Sequence, residues 1–221
     1  MMMFKTSTTI GRSRMKTKLL GLLAGVAYLL LVLGLGISLV SQWQGFYDFQ
    51  FKKNATVQET GLSMKDLHKR GRALRIYLEK GDDDLISPYF NQREVSHMED
   101  VHGLFVLKNR IMVLAGLAFL ALFIYGHKKN FLRDYFTGNG ILLLALMGFF
   151  TYIGMNFDQS FIRFHELFFD NDLWLLDPKT DVMIQMLPQV FFEQMAGLIG
   201  LFVLGMEGVY FFSLWKIKRR S

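Results

Sequence analysis

The chain has 221 residues, of which 52% are hydrophobic and 15% aromatic, and its formal net charge is +6. It contains no cysteine, which excludes a disulfide scaffold, a cysteine nucleophile and cysteine-based metal sites. The basic residues stand beside long apolar blocks, so the charge indicates a membrane topology and implies no nucleic-acid surface.

Four apolar blocks reach or approach the ~17–25 residues with which a helix crosses a bilayer. They predict transmembrane helices at 19–41, 110–126, 137–155 and 190–215. The first block is too long for the core of a signal peptide, and we interpret it as an uncleaved anchor. The connecting segments are a basic tail at 1–18, loops at 42–109, 127–136 and 156–189, and a tail at 216–221.

The distribution of lysine and arginine predicts the orientation of these helices. Basic residues dominate both tails and the short loop 127–136, whereas loop 42–109 is balanced in charge and loop 156–189 is mainly acidic. By the positive-inside rule, both tails and the short loop lie in the cytoplasm, and the two longer loops lie outside.

Two elements are predicted early in the first outer loop. The alternation in 46–51 (FYDFQF) is typical of a short strand. Ser63 and Asp66 resemble a capping box, which predicts an amphipathic helix over about 64–80 that Gly81 ends. The basic faces of this helix suit anionic lipid headgroups, and a solvated helix packed on its own domain is an equal alternative.

The same outer loop ends in a second capping box, Ser96-His97-Met98-Glu99. It predicts the start of a helix that continues into the second span and carries His97 in its first turn. The polar residues 108–110 precede the apolar block, and we expect them to mark the outer headgroup level.

The second outer loop places several phenylalanines on one helical face with His165 at its edge, which predicts an amphipathic interfacial helix. After it, 174–176 and 182–186 flank a turn at 177–181 and predict a β-hairpin, with which 46–51 could pair. The predicted fold class is membrane α-helical, with four transmembrane helices, N-in and C-in, and a small extracytoplasmic α+β cap.

Two outer histidines are the candidate chemistry of the chain. The two predicted outer loops contain no GxSxG, SxxK or HExxH motif. His97 and His165 each border apolar residues and carboxylates, a setting in which an imidazole can be oriented and tuned toward the neutral form. His68 lies among basic residues, and we expect it to be solvated. Glu207 lies inside the fourth span, where helix packing with a buried hydrogen bond is the favoured interpretation.

Several motifs, in fixed order between the predicted spans, resemble one family. They are EVSHMEDV at 94–101, FHELFF at 164–169, WLLDP at 174–178, Asp181 and MLP..FF at 186–192. Through them the chain resembles the bacterial lipoprotein intramolecular transacylases over nearly its whole length. The resemblance implies that the sn-2 acyl chain of a diacylglyceryl-modified lipoprotein moves to the α-amino group of its own N-terminal cysteine. His97 and His165 occupy the positions of the functional histidines of that family.

Such a reaction needs no enzyme nucleophile, because the attacking amine and the ester belong to one molecule. We assign His97 as the general base and His165 as the oxyanion or leaving-group partner, and the two roles are exchangeable. Ser96, Glu99 and Asp100 are expected to support His97. The expected acyl-chain groove is lined by Phe164, Phe169 and Trp174. No cofactor and no metal are expected.

The expected partners are a diacylated lipoprotein substrate and membrane lipid, in a bacterial cell membrane with the active site on the extracytoplasmic face. Two other classes stay open from the residues. A metal-dependent membrane hydrolase would use His97, Asp100, His102 and His165 as ligands. A non-catalytic receptor or assembly protein would use the aromatic outer region to hold a partner at the outer leaflet. The oligomeric state cannot be inferred from the sequence.

Overall fold

The structure is a computed structural model that describes residues 4–128 and 132–220. Parts of the predicted tail 1–18, loop 127–136 and tail 216–221 lie outside the described residues. The helices in chain order are α1 (Phe4–Gln42), α2 (Gln44–Lys53), α3 (Thr56–Thr60), α4 (Met64–Lys80), α5 (Gln92–Lys128), α6 (Leu132–Met155), α7 (Phe157–Phe168), α8 (Val182–Met186) and α9 (Gln189–Arg220), with a short 3-10 turn at Asp83–Leu85.

Three described helices are long and apolar enough to cross a membrane: Met15–Gln42, Gln92–His127 and Gln189–Lys216. A fourth span is counted if Asn139–Met155 and Phe157–Phe168, which meet at a bend of 103°, form one broken crossing. The chain is therefore a helical protein with three to four candidate spans. The four separate spans and their N-in, C-in orientation stay predictions.

The first part of α5 differs in character from the rest of this helix. Residues 92–110 include the charged side chains Arg93, Glu94, Glu99, Asp100, Lys108 and Arg110, whereas the following residues up to Gly126 are uncharged. A charged side chain is costly in hydrocarbon, so the part of α5 suited to the bilayer core begins after Arg110. His97 precedes this apolar part.

The chain divides into two compact units, and one of them holds most of the apolar helical blocks. This unit comprises residues 1–36, 110–152 and 200–221. Its core contains Ala24, Tyr210 and Leu214, while other large apolar side chains remain exposed, as in Leu144 and Leu201 at 70% each. Such exposure is typical of helices whose apolar solvent is lipid.

Within the same unit, Glu207 and Asn139 are both fully buried, and the carboxyl group of Glu207 lies beside the Asn139 amide. The hydroxyl of Tyr28 donates to the carbonyl of Met206 at 3.2 Å. Polar side chains of α1, α6 and α9 thus lie close together in this unit. Both carboxyl oxygens of Glu207 have no hydrogen-bond partner among the described residues, so the buried hydrogen bond expected for Glu207 is not seen there.

The second unit comprises residues 37–109 and 153–199, and it contains both candidate histidines. Its core is built from aromatic and aliphatic side chains of several helices. The largest fully buried members are Tyr77, Phe51, Phe191, Leu67, Leu74, Ile86 and Met186. Burial of such side chains contributes about 1.5–3 kcal/mol each, so this unit has a substantial core of its own.

The predicted helix over 64–80 is confirmed as α4. The hydroxyl of Ser63 accepts from the backbone N–H of Asp66 at 3.2 Å, and the carboxylate of Asp66 accepts from the Ser63 hydroxyl at 2.6 Å. Gly81 ends the helix with a φ of +65°, a left-handed conformation that glycine adopts at little cost.

The predicted strand at 46–51 is wrong, because these residues lie within α2. The buried side chains are Phe46, Tyr47, Gln50 and Phe51, which follow the spacing of one helical face and not strand alternation. Aromatic residues occur readily in either structure, and packing on α4 and Phe191 favours the helix here.

The predicted β-hairpin at 174–186 is also wrong, and the described residues contain no strand. The turn at 177–181 is present: the carboxylate of Asp181 accepts from the backbone N–H of Asp177 at 2.7 Å. The segment after it forms the short helix α8, whose Met183 N–H is held by a side chain of α5. The regular secondary structure of the second unit is therefore all helical in its described part, and the predicted α+β cap is not formed.

The start of α5 lies earlier than the predicted capping box at Ser96–Glu99. The helix begins at Gln92 after a reciprocal box, in which Glu94 N–H donates to Asn91 Oδ1 at 3.0 Å and Asn91 N–H donates to Glu94 Oε2 at 2.7 Å. His97 consequently lies in the second turn of the helix, with its backbone already within regular hydrogen bonding.

Candidate active site

Glu94 fixes the helix turn that carries His97. Its side chain is buried, with 1% exposed, and its second carboxyl oxygen accepts from the backbone N–H of Met183 at 2.6 Å. Burial raises the pKa of Glu94, and the two backbone donors partly offset that effect. One carboxyl group therefore caps α5 and ties it to α8.

The two candidate histidines meet in the second unit. Their ring centroids are 6.1 Å apart, and the rings are inclined by 31°. His97 is 9% exposed and His165 is 8% exposed. The fold thus brings together two imidazoles that come from separate predicted loops, in a largely dehydrated pocket.

The hydrogen bond of His165 determines which of its nitrogens faces outward. Its Nδ1 lies 2.7 Å from the carbonyl oxygen of Phe161. A carbonyl only accepts, so Nδ1 carries the hydrogen and the Nε2 of the neutral ring is left with a lone pair. The Nδ1 of His97, by contrast, is buried and has no hydrogen-bond partner among the described residues. A buried polar atom without a protein partner is uncommon and leaves this nitrogen open to a partner from outside the described residues.

Aromatic rings enclose His165. Phe161 lies 4.4 Å away by ring centroids, Trp174 is stacked at 4.8 Å and 29°, and Phe164 lies at 5.5 Å. Phe169 contacts both histidines, at 5.4 Å from His97 and 5.6 Å from His165. The three residues predicted to line an acyl groove are therefore all neighbours of His165.

Both histidines favour the neutral form. Burial and, to a lesser extent, the neighbouring His165 lower the pKa of His97 to about 4, while Asp100 acts in the opposite direction. Burial also lowers the pKa of His165, while its hydrogen bond to Phe161 opposes this change. Neutral imidazoles at ordinary pH can accept a proton or donate a hydrogen bond, as acid–base chemistry requires.

The three predicted supporting residues do not bond to His97. The hydroxyl of Ser96 accepts from the Gln92 amide at 3.5 Å, and Glu99 is exposed. The carboxylate of Asp100 instead accepts from the side-chain amide of Asn171 at 2.9 Å. All three lie on α5 near His97, but each faces another partner or solvent.

Three residues that sequence reasoning did not select also shape the site. Phe161 supplies both the carbonyl and the nearest ring to His165, and its position four residues earlier on one helix was the available signal. Arg93 donates to the carbonyl oxygens of Asp172 and Leu175, and Asn171 bonds to Asp100. Neither of these two had a sequence signal, because their partners are distant in the chain.

The other two histidines of the second unit, His68 and His102, have different partners. The Nδ1 of His68 lies 3.2 Å from a carboxylate oxygen of Asp48. The His68 side chain is half exposed, as expected for a solvated histidine. The Nδ1 of His102 lies 3.0 Å from the carbonyl oxygen of Leu78. Across the described residues, no three His, Asp or Glu side chains converge as a metal site would require, so the proposed ligand set of the hydrolase alternative is not assembled.

Comparison with known proteins gives a family and a set of related structures. The model of the family described as lipoprotein intramolecular transacylase Lit matches residues 22–192. No curated protein sequence matches the chain. The membrane integral lipoprotein intramolecular transacylase Lit from Bacillus cereus, solved in meso, is 27% identical, with a TM-score of 0.78 over 93% of this chain and 99% of that chain.

Two variants of that bacterial protein are also similar. The structure with a histidine-to-alanine mutation is 25% identical, with a TM-score of 0.78 over 96% of this chain and 100% of that chain. The structure with a histidine-to-arginine mutation is 23% identical, with a TM-score of 0.79 over 97% of each chain, and supports the fold alone.

Proposed function

Because the chain belongs to the lipoprotein intramolecular transacylase family, we propose that it transfers the sn-2 acyl chain of a diacylglyceryl-modified bacterial lipoprotein to the α-amino group of the N-terminal cysteine of the same lipoprotein. The product is an N-acylated lyso-lipoprotein. The reaction takes place on the extracytoplasmic face of the cell membrane, where the positive-inside rule predicts the second unit.

The observation that carries this proposal is the pair of neutral histidines in an aromatic pocket, with centroids 6.1 Å apart. Imidazoles this close can both act on one bound reacting group, as proton transfer from the amine to the departing oxygen requires. The adjacent rings of Phe164, Phe169 and Trp174 offer apolar surface to an acyl chain.

In the proposed reaction, the lone pair of the amine attacks the carbonyl carbon of the sn-2 ester. A C–N bond forms, the ester oxygen gains negative charge, and the amine nitrogen must lose a proton. The C–O bond to glycerol then breaks, and the departing oxygen takes up a proton. One proton therefore moves from nitrogen to oxygen, and no water, metal or cofactor enters the balance.

The hydrogen bonding favours the exchanged assignment of the two histidines. His165 presents the lone pair of Nε2, because its Nδ1–H is committed to Phe161, and this suits a general base. His97 has an unpartnered ring nitrogen and presents an N–H to the oxyanion or to the departing glycerol oxygen. The proton accepted by His165 is returned to glycerol within the same pocket.

Tethering supplies much of the rate in such a mechanism. Well-oriented intramolecular reactions reach effective molarities of about 10⁵ M or more, so holding the amine and ester in line is a large part of the catalysis. Proton transfer by positioned side chains adds about 10²–10⁴-fold. This division of the work requires no enzyme nucleophile.

The test is mass spectrometry of the N-terminal lipopeptide of one abundant lipoprotein, from cells that lack or express the protein. Transfer leaves the total mass unchanged, so fragmentation must locate the acyl group. We expect it on the cysteine nitrogen, with one acyl chain lost from glycerol, only in expressing cells. A lipopeptide that stays diacylated with a free amine despite confirmed expression would contradict the proposal.

The matched variants are His97→Ala, His165→Ala and His68→Ala. The first two are expected to abolish the N-acylated product, with a loss of at least about 10²-fold, while the protein remains abundant in the membrane. His68→Ala removes an exposed histidine of the same unit and is expected to retain activity. An active His97→Ala or His165→Ala protein would refute the two-histidine site.

A further inference from the structure

We propose that Asp100 and Asn171 are positioning residues for His165, because together they fix the turn that holds Trp174 against its ring. This inference rests on the proposed function of His165. It assigns to Asp100 a role toward the histidine of the other segment, and not toward His97 on its own helix.

The contacts form a continuous chain from α5 to His165. The amide nitrogen of Asn171 donates to Asp100 at 2.9 Å, and the amide oxygen of Asn171 accepts from the backbone N–H of Leu173 at 3.0 Å. Asn171 thus closes the turn immediately before Trp174 and attaches that turn to α5. The indole of Trp174 then stacks on His165 at 4.8 Å.

The loop that carries Trp174 depends on such side-chain anchors. Its backbone is irregular from Phe169 to Asp181, and its own hydrogen bonds are short-range ones, such as Leu175 N–H to Asp172 O at 3.1 Å. Arg93 provides a second attachment to α5 through the carbonyl oxygens of Asp172 and Leu175. Without regular secondary structure, the position of the indole is set by these attachments.

Stacking by Trp174 restricts the orientation of the His165 ring. The hydrogen bond to Phe161 holds one nitrogen, but a single bond leaves the ring free to tilt about it. Phe161 covers the ring at 4.4 Å, and Trp174 stacks on it with an interplanar angle of 29°. Removing the Trp174 contact therefore loosens the direction of Nε2, and misplacement of a catalytic group is costly to the rate.

Asp100 could instead act directly through its charge on His97, which lies one helical turn before it. The two possibilities differ in what they require of residue 100. Positioning through Asn171 requires a hydrogen-bond acceptor, which an amide oxygen also provides. A direct electrostatic effect requires the negative charge, which an amide lacks.

The experiment compares Asp100→Asn, Asp100→Ala, Asn171→Ala and the double alanine variant in the lipopeptide assay. We expect each single alanine variant to lose about tenfold in transfer rate, corresponding to about 1.4 kcal/mol. The double variant should lose no more than either single one, because both belong to one chain of contacts. Asp100→Asn should retain most of the activity.

Either of two results overturns the positioning role. If Asp100→Asn is as impaired as Asp100→Ala, the charge is required and the acceptor is not. If the losses of the two alanine variants add, Asp100 and Asn171 act independently. His68→Ala, which removes an exposed side chain of the same unit, is the matched control and should behave as wild type.

A spectroscopic readout separates this inference from the proposed function. In a Trp43→Phe, Trp215→Phe background, Trp174 is the remaining indole, and protonation of a stacked imidazole quenches its fluorescence. We expect acid quenching in the background protein, its loss in His165→Gln, and its loss in Asp100→Ala and Asn171→Ala. Quenching that persists in both alanine variants would overturn the inference, whether or not the protein transfers acyl chains.

Discussion

The two segments that supply the histidines are built in different ways. The start of α5 is a regular helix with a reciprocal cap, and its buried Glu94 accepts two backbone hydrogen bonds. The second segment consists of α7, only Phe157–Phe168, followed by an irregular loop to Asp181. This loop is attached to α5 through Arg93 and Asp100. Helix α5 therefore carries one histidine and also anchors the loop beside the other.

The two imidazoles also differ in the hydrogen bonding of their Nδ1 atoms. His165 has a fixed tautomer, because its Nδ1 is bonded to the carbonyl of Phe161. His97 sits on the more rigid helix, yet its Nδ1 has no partner among the described residues. The backbone of α5 thus fixes the position of His97, whereas a hydrogen bond fixes the ring orientation of His165.

The largest effect is expected from Glu94→Ala, which removes the carboxyl group that caps α5 and holds it to α8. The buried backbone N–H of Met183 loses its acceptor at about 1–3 kcal/mol and the partly buried N–H of Asn91 at about 1 kcal/mol, so we expect a loss of about 2–4 kcal/mol of stability. Thermal unfolding of the purified protein in detergent measures it. Glu94→Gln keeps one acceptor oxygen and should lose about half as much. An unchanged melting temperature in Glu94→Ala would mean that α5 and α8 hold together without this carboxyl group.

The second effect concerns pH and tests the buried state of His97. The pKa of His97 in the folded protein is about 4, against about 6.5 for an ordinary histidine. Between these values the unfolded chain binds a proton that the folded protein does not, so stability falls as pH is lowered from about 6.5 toward 4.

From pH 7 to pH 5 this single group is expected to contribute a loss on the order of 2 kcal/mol. His97→Phe should therefore show a shallower decline of the melting temperature over this range. His68→Ala, which removes an exposed histidine, should keep the wild-type slope. Equal slopes in all three proteins would show that His97 is hydrated in the folded state.

A smaller effect is expected from Trp174→Ala, which removes the ring stacked on His165 but no hydrogen bond to it. Aromatic pairs contribute about 0.5–1.5 kcal/mol beyond their buried area, which corresponds to a loss of about 2–12-fold in transfer rate. Trp174→Phe keeps a ring at this position and should recover most of that loss. A Trp174→Ala protein with full activity would mean that the loop does not orient His165.

The smallest effects are expected from Ser96→Ala and Glu99→Ala on the rigid segment. Neither side chain bonds to His97, and the helix begins at Gln92 without their help. Substitutions away from buried contacts usually change stability by no more than about 0.5 kcal/mol, and we expect activity within a factor of about two. A strong loss in either variant, measured by the lipopeptide assay, would restore the capping and supporting roles that the sequence had suggested.

The sequence predicted well the elements whose signals are local. Helix α4 follows from its cap at Ser63, its apolar spacing and Gly81, all within one short segment. The helix around His165 follows from the helical spacing of its phenylalanines, and the family follows from motifs in fixed order. These features need no knowledge of distant partners.

The errors occurred where the outcome depends on distant partners. Residues 46–51 are aromatic enough for a strand or a helix, and the helix is favoured by packing on α4 and Phe191. The segment after 177–181 became α8 instead of a strand, since its Met183 N–H bonds to Glu94 of α5. Asp100 was expected to support His97, and its hydrogen bond to Asn171, 71 residues away, could not be read from the sequence.

The membrane class and the family could be read from the sequence, which also singled out the two histidines as candidates, because hydropathy, charge and motifs are properties of short stretches of chain. The 6.1 Å separation of the imidazoles, the tautomer of His165 and the anchors of the Trp174 loop required the three-dimensional structure. Distances between loops depend on how the intervening helices pack. Burial, which sets the protonation of both histidines, is likewise a property of the assembled core.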